Sequence, residues 1–118
     1  MNNGFIENNN YETIKCENGT SILTAKITET SLNPYGVAHG GFIFGLADTA
    51  AGAAAMSTGR KAMTVSADID YLHSAKGNVL RAEAESIKDG KTISVYEVSI
   101  YDETRLVAKG SFTYFYLD

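Results

Sequence analysis

The chain has 118 residues, a formal net charge of −4, 44% hydrophobic and 20% charged residues, which suits one globular domain near the lower end of comfortable size, one that self-association would help. The acidic balance and the lack of any Lys/Arg run exclude a nucleic-acid-binding face, although a local basic spot suffices for one small anionic ligand. A single cysteine, Cys16, excludes an internal disulfide and a paired-cysteine metal site, so no metal and a reducing, cytoplasmic setting are expected.

Met1 to Asn10 is Asn-rich, without the cationic start or apolar core of a signal peptide; Phe5 and Ile6 would dock either a short helix or a loose arm. Tyr11–Glu17 is predicted as a strand. Asn18-Gly19 then suits a type I′ turn leading into a second strand, Ser21–Thr28, in which Leu23, Ala25 and Ile27 alternate with polar residues. Ser31–Ala38 is loop, with Pro34 biasing Asn33 away from helix. Gly41–Ser57 is a helix, apolar on nearly every face and therefore buried. Strands follow at Ala62–Leu72, Asn78–Ile87, Thr92–Tyr101 and Arg105–Leu117, with Asp89-Gly90 predicted to make a second hairpin and Asp102-Glu103-Thr104 a polar turn. The expected architecture is α+β: two strands, one long helix, then a four-strand antiparallel meander, with the sheet curled around the helix.

Inside that apolar helix stands one acid, Asp48. The run falls short of the ~20 residues that span a bilayer, so no membrane span is expected. A buried carboxylate without partners costs several kcal/mol, which leaves a structural hydrogen-bonding role and a functional one in competition. His39-Gly40-Gly41 ahead of the helix is by itself an ordinary turn and helix start; joined to Asn33 upstream and an acid two turns in, it becomes a candidate site. Seven residues at 1.5 Å place Asp48 ~10 Å along the axis from Gly41. One subunit therefore cannot bring both to one substrate atom, and two antiparallel helices of a two-fold dimer would build composite sites.

Asn33-Pro34-Tyr35-Gly36-Val37-Ala38-His39-Gly40-Gly41, Leu46-Ala47-Asp48, Thr64 to Ala75 and Lys88 to Thr92 together resemble the hot-dog-fold acyl-CoA thioesterases, in particular the phenylacetate-degradation-type (PaaI-like) subgroup. The resemblance covers roughly residues 20 to 117 and implies a hot-dog fold, a homodimer often paired into a homotetramer, an acyl-CoA substrate and no cofactor. Asp48 would be the general base or nucleophile. Gly41, with Gly40 beside it, would give backbone N–H to the carbonyl oxygen, and Asn33 and His39 would hold the thioester and shape the loop. Thr64 matches a hydroxyl position that orients water, with Ser66, taken to lie on the same strand face, as second candidate. Tyr71, His73 and Ser74 would line the coenzyme A site, and Lys88, Gly90, Lys91 and Thr92 would sit near its nucleotide and pantetheine. His73-Ser74-Ala75 departs from the Arg-Pro pair common in the family.

The resemblance thus implies hydrolysis of an acyl-CoA thioester, with aryl-acetyl or medium-chain acyl groups as the expected substrates. A hot-dog hydratase or dehydratase pairs a His with a more distant acid in a proline-containing loop, which is missing here. A non-catalytic acyl-CoA-binding protein has no need of the carboxylate at Asp48.

Overall fold

The computed structural model describes residues 3–118; Met1 and Asn2 lie outside the described residues. The start of the chain is the short helix α1, Gly4–Asn8, capped by Asn3, whose Oδ1 accepts the Ile6 N–H at 3.1 Å. β1 (Tyr11–Glu17) and β2 (Thr20–Lys26) follow, joined at Asn18 and Gly19, both with positive φ (50° and 77°) as a type I′ turn requires. After a 3₁₀ turn at Glu29–Ser31 comes α2, Gly40–Ala55, and then β3 (Ala62–Tyr71), β4 (Val79–Asp89), β5 (Ile93–Asp102) and β6 (Arg105–Tyr116).

All six strands form one antiparallel sheet in the order β1-β2-β4-β5-β6-β3, and α2 packs against every one of them. This corrects the expected meander. β4 pairs with β2, and β3 crosses to the far edge beside β6. Period-2 alternation makes a strand but does not name its neighbour, and the apolar faces of β2 and β4 (Leu23, Ala25; Leu80, Ala82, Ala84) are buried together over α2.

Three hydroxyls of the sheet reach carbonyl oxygens of α2: Tyr11 to Phe42 O, Ser21 to Ala50 O and Tyr114 to Asp48 O, each at 2.6 Å. A helical carbonyl keeps one lone pair after its intrahelical bond, so it accepts a second donor without breaking the helix. The close approach depends on missing side chains. A Cβ on Gly45 would lie 2.5 Å from the Tyr11 hydroxyl, and one on Gly52 would lie 3.1 Å from that of Tyr114. Gly45 and Gly52 admit tyrosine hydroxyls, whose bonds of ~1 kcal/mol each offset the similar propensity cost of the glycines.

Gly45→Ala should therefore destabilise the fold by ~1–3 kcal/mol through overpacking against Tyr11. Gly4→Ala, where nothing lies within 4 Å of the added carbon, should be close to neutral. Urea unfolding of both variants checks this, and equal midpoints for the two would contradict it.

Candidate active site

The loop before α2 is organised by Asn33. Its Oδ1 accepts the N–H groups of Tyr35 (2.9 Å) and Val37 (3.3 Å), and its own N–H donates to Val37 O at 2.8 Å. This is the local turn a short amide side chain closes, completed by Gly36 at φ +82°. The Nδ2 of Asn33 has no partner among the described residues. His39 is the N-cap of α2: its Nδ1 accepts the Gly41 N–H at 2.8 Å. The Gly41 donor assigned by resemblance to a substrate carbonyl is thus occupied by the cap, while the Gly40 N–H has no partner among the described residues.

Between this loop and the segment after β3 lies a cleft of about 370 Å³, lined among others by Asn33, Gly40, Ile43, Tyr71, His73 and Ser74. The Tyr71 hydroxyl donates to Gly40 O at 3.0 Å, and burial pushes its pKa up. Arg105 Nη2 lies 2.6 Å from His73 Nδ1. A guanidinium has no acceptor, so Nδ1 accepts and the ring proton sits on Nε2. Arg105 was not singled out in the sequence, because it lies thirty-two residues downstream at the start of β6.

Asp48 occupies a second location. It is only partly buried in the chain, on the line Gly41, Phe44, Asp48 that the sheet leaves less covered, which corrects the expectation of a fully buried acid. Spacings of three and four residues put those three positions on one helical stripe. Its Oδ1 accepts from Thr64 Oγ1 at 2.8 Å and from the Tyr114 hydroxyl at 2.6 Å. Oδ2 has no partner among the described residues. Burial first, and the adjacent Asp48 carboxylate second, hold the Tyr114 phenol far above the usual tyrosine range, so it is a donor at any working pH.

Ser66 does not share the face of Thr64. A bulge at Val65 shifts the register: Thr64 opposes the inward Tyr114, whereas Ser66 opposes Thr113 on the outer face. One extra residue in a strand reverses the alternation beyond it. Tyr114 itself escaped the sequence reading because it looks like one more inward aromatic in Phe112-Thr113-Tyr114-Phe115-Tyr116; the available signal was a tyrosine facing a glycine-bearing helix, here Gly52.

The Lys88–Thr92 segment lies on the Asp48 side, since Asp89, Ser94, Tyr114 and Thr64 form one row across β4, β5, β6 and β3. Lys88 and Lys91 are exposed. The hairpin expected at Asp89-Gly90 is present between β4 and β5, with a loop one residue longer than the dipeptide suggests. Asp89 is the last residue of β4, paired with Ser94, and its Oδ1 accepts the Tyr116 hydroxyl at 2.6 Å. The loop is Gly90-Lys91-Thr92, closed by Gly90 N–H to Ile93 O at 3.0 Å and by Tyr116 N–H to Thr92 O at 2.9 Å. Gly90 is not among the glycines with positive φ; a Cβ there would lie 2.6 Å from Ile93 O. Close approach of backbone, rather than handedness, requires the glycine.

The candidate residues thus fall into two clusters along α2. Asn33, His39, Gly40, Tyr71, His73 and Ser74 sit at the start of α2. Asp48, Thr64 and Tyr114 sit ~10 Å further along its axis, beside the Lys88–Thr92 loop.

A six-stranded antiparallel sheet wrapped on one helix, with a helix-borne carboxylate held by hydroxyls, is the arrangement of a hot-dog thioester hydrolase. Residues 35–109 match the Thioesterase superfamily model, well over half of the chain. The chain belongs to that family, in its PaaI-like branch. It is 34% identical over 91 residues to Escherichia coli "Acyl-coenzyme A thioesterase PaaI", a match covering 76% of this chain and 65% of that protein. Against the Listeria monocytogenes "1,4-dihydroxy-2-naphthoyl-CoA hydrolase" the identity is 33% over 104 residues, 86% of this chain and 85% of the relative. A Streptococcus mutans protein solved bound to acetyl CoA superposes with a TM-score of 0.86 at 38% identity, over 91% of this chain and 88% of that one.

The loop geometry separates two roles for Asn33. Asn33→Asp keeps the Oδ1 acceptor and loses the Nδ2 donor; it should leave stability within ~0.5 kcal/mol while lowering thioester turnover by at least ~10-fold. Asn33→Ala should in addition cost ~1 kcal/mol of stability through the lost turn bonds. Wild-type turnover in Asn33→Asp, measured beside thermal unfolding, would confine Asn33 to shaping the loop.

Proposed function

We propose that this protein hydrolyses acyl-CoA thioesters to the free acid and coenzyme A, with aryl-acetyl or medium-chain acyl groups as substrates, at sites shared between two subunits. The observation that carries the proposal is Asp48: a carboxylate with one oxygen held by two hydroxyls and the other open, in a chain of a thioesterase family. The coenzyme A portion is carried over from the printed activities of the Escherichia coli and Listeria relatives and from the acetyl CoA held by the Streptococcus neighbour. A sensor gains nothing from such a carboxylate.

As general base, Asp48 takes a proton from water while the water oxygen bonds to the thioester carbonyl carbon. The developing oxyanion receives the open Gly40 N–H at the positive end of the partner's α2, and the Gly41 N–H when the His39 ring turns aside. Collapse of the intermediate breaks the C–S bond, and the thiolate leaves with the proton from Asp48. As nucleophile, Asp48 would itself bond to the carbonyl carbon while the C–S bond breaks and coenzyme A leaves as thiolate; water then opens the resulting anhydride, returning the Asp48 carboxylate, releasing the acid and supplying the proton the thiolate takes up. Neither route needs a cofactor. Asn33 Nδ2 reaches the thioester, Thr64 orients the water through the Asp48 carboxylate that it holds, Tyr71, His73 and Ser74 line the path of the pantetheine, and Lys88, Gly90, Lys91 and Thr92 border the anionic nucleotide end.

A homodimer is supported by the ~10 Å separation within one helix and by β3. That strand is an edge of the sheet, ten residues long, with Met63 and Val65 about 60% and 59% exposed. Natural folds seldom leave such an edge unpaired. A second copy placed β3 against β3, with the two α2 helices side by side, would cover it. Ile93, Phe115 and Met63, aligned across β5, β6 and β3 and exposed, offer such dimers a second surface for pairing into a homotetramer. No helix among the described residues is long and apolar enough to cross a membrane; a cytoplasmic setting is proposed, consistent with the free, exposed Cys16.

Asp48→Asn should leave a folded, self-associated protein with acyl-CoA turnover lowered by at least ~100-fold, within the range an acid–base group contributes. Release of free thiol from an acyl-CoA panel is the assay, and near-wild-type rates would remove Asp48 from the chemistry.

A further inference from the structure

We propose that Tyr114 is a positioning residue which, together with Thr64, commits Asp48 Oδ1 to the protein and makes Oδ2 the one oxygen that meets water or the thioester carbon. This rests on Asp48 being the reacting carboxylate.

The two oxygens of an aspartate are chemically equivalent, and a half-turn about the last side-chain bond exchanges them. Here the exchange is opposed by two donors from different strands. Thr64 comes from β3 and Tyr114 from β6; they are direct cross-strand partners and meet at the same oxygen, at 2.8 and 2.6 Å. Two O–H donors fill the two lone pairs of Oδ1, and bonds of this length to an ionised acceptor are about twice as strong as neutral ones.

Tyr114 is also hard to displace. It is 3% exposed, its ring meets that of Tyr96 edge-on at 6.1 Å, and Gly52 leaves the space its hydroxyl occupies, an added Cβ lying 3.1 Å away. The single phenol proton has a second acceptor within 2.6 Å, Asp48 O. That carbonyl also serves the helix, and the charge of the carboxylate draws the proton toward Oδ1. Thr64 stands on an exposed edge strand, so the buried Tyr114 is the firmer of the two anchors. The consequence is a division of labour: Oδ1 is tied to the two sheet hydroxyls, and Oδ2 is the oxygen with no partner among the described residues.

The test compares Tyr114→Phe, Thr64→Ala, the double variant, and Tyr114→Phe placed in Asp48→Asn. Each single change leaves one donor on Oδ1 and should lower kcat about 5-fold with KM for acyl-CoA unchanged. The double change frees the carboxylate and should lower kcat by ~100-fold or more, beyond the product of the singles, as expected for residues acting on one group. In the Asp48→Asn background, Tyr114→Phe should change the residual kcat less than twofold. Gly52→Ala keeps the phenol but crowds its hydroxyl, and should lower kcat without raising KM. Wild-type kcat in Tyr114→Phe, a rise in KM matching the fall in kcat, or a further large loss in the Asp48→Asn background would each overturn the proposal. An active Asp48→Asn enzyme would instead remove the role of Asp48 on which it stands, and the two failures are separately visible.

Discussion

The structure depends on how closely α2 can approach the sheet. Ten of the sixteen helix residues are glycine or alanine, and this thin surface lets hydroxyls of Tyr11, Ser21 and Tyr114 reach helix carbonyls at 2.6 Å. Each buried bond contributes only ~1 kcal/mol net, but those of Tyr11 and Ser21 to helix carbonyls and that of Tyr114 to Asp48 are spread over the length of the helix and fix its position and rotation. With larger side chains on α2 the hydrophobic burial could be matched, but the helix would stand off and the tyrosine hydroxyls would lose their acceptors.

Function follows from that fixed placement. Once α2 cannot slide, its N-terminus and Asp48 are held ~10 Å apart, each in surroundings built by other elements. The loop closed by Asn33 and the strand residue Tyr71 frame the N-terminus, and Thr64 and Tyr114 frame the acid. Positive helix end and carboxylate are the two charges a thioester hydrolase must present to opposite sides of one carbonyl carbon. A rigid helix within one subunit keeps them apart, which is the ground for proposing that a second copy supplies the other half.

Much of this was legible in the residues. Asn18-Gly19 demanded positive φ twice and has it, the alternation of Leu80, Ala82 and Ala84 marked an inward face that is buried, and an acid in an apolar helix marked a place needing partners. What stayed hidden were matters of pairing and register. β3 lies beside β6 rather than β4, because alternation is silent about neighbours. The bulge at Val65 turns Ser66 to the other face, since nothing in Thr-Val-Ser announces an extra residue. Asp89 binds a tyrosine from the end of β4, and the loop after it is one residue longer than the dipeptide suggests. Tyr114 and Arg105 act through contacts with residues sixty-six and thirty-two positions away, a range at which local patterns carry no information.

The account stands on sites built from two subunits, and subunit complementation addresses that most directly. Asp48→Ala and Asn33→Ala, each nearly inactive alone, are coexpressed and the mixed species verified. If Asp48 and Asn33 of one site come from different subunits, a mixed dimer carries one doubly damaged and one intact site. Random association then restores roughly a quarter of wild-type activity for a two-fold arrangement. Mixed dimers as inactive as both parents would place Asn33 and Asp48 in the same subunit's site and contradict the account.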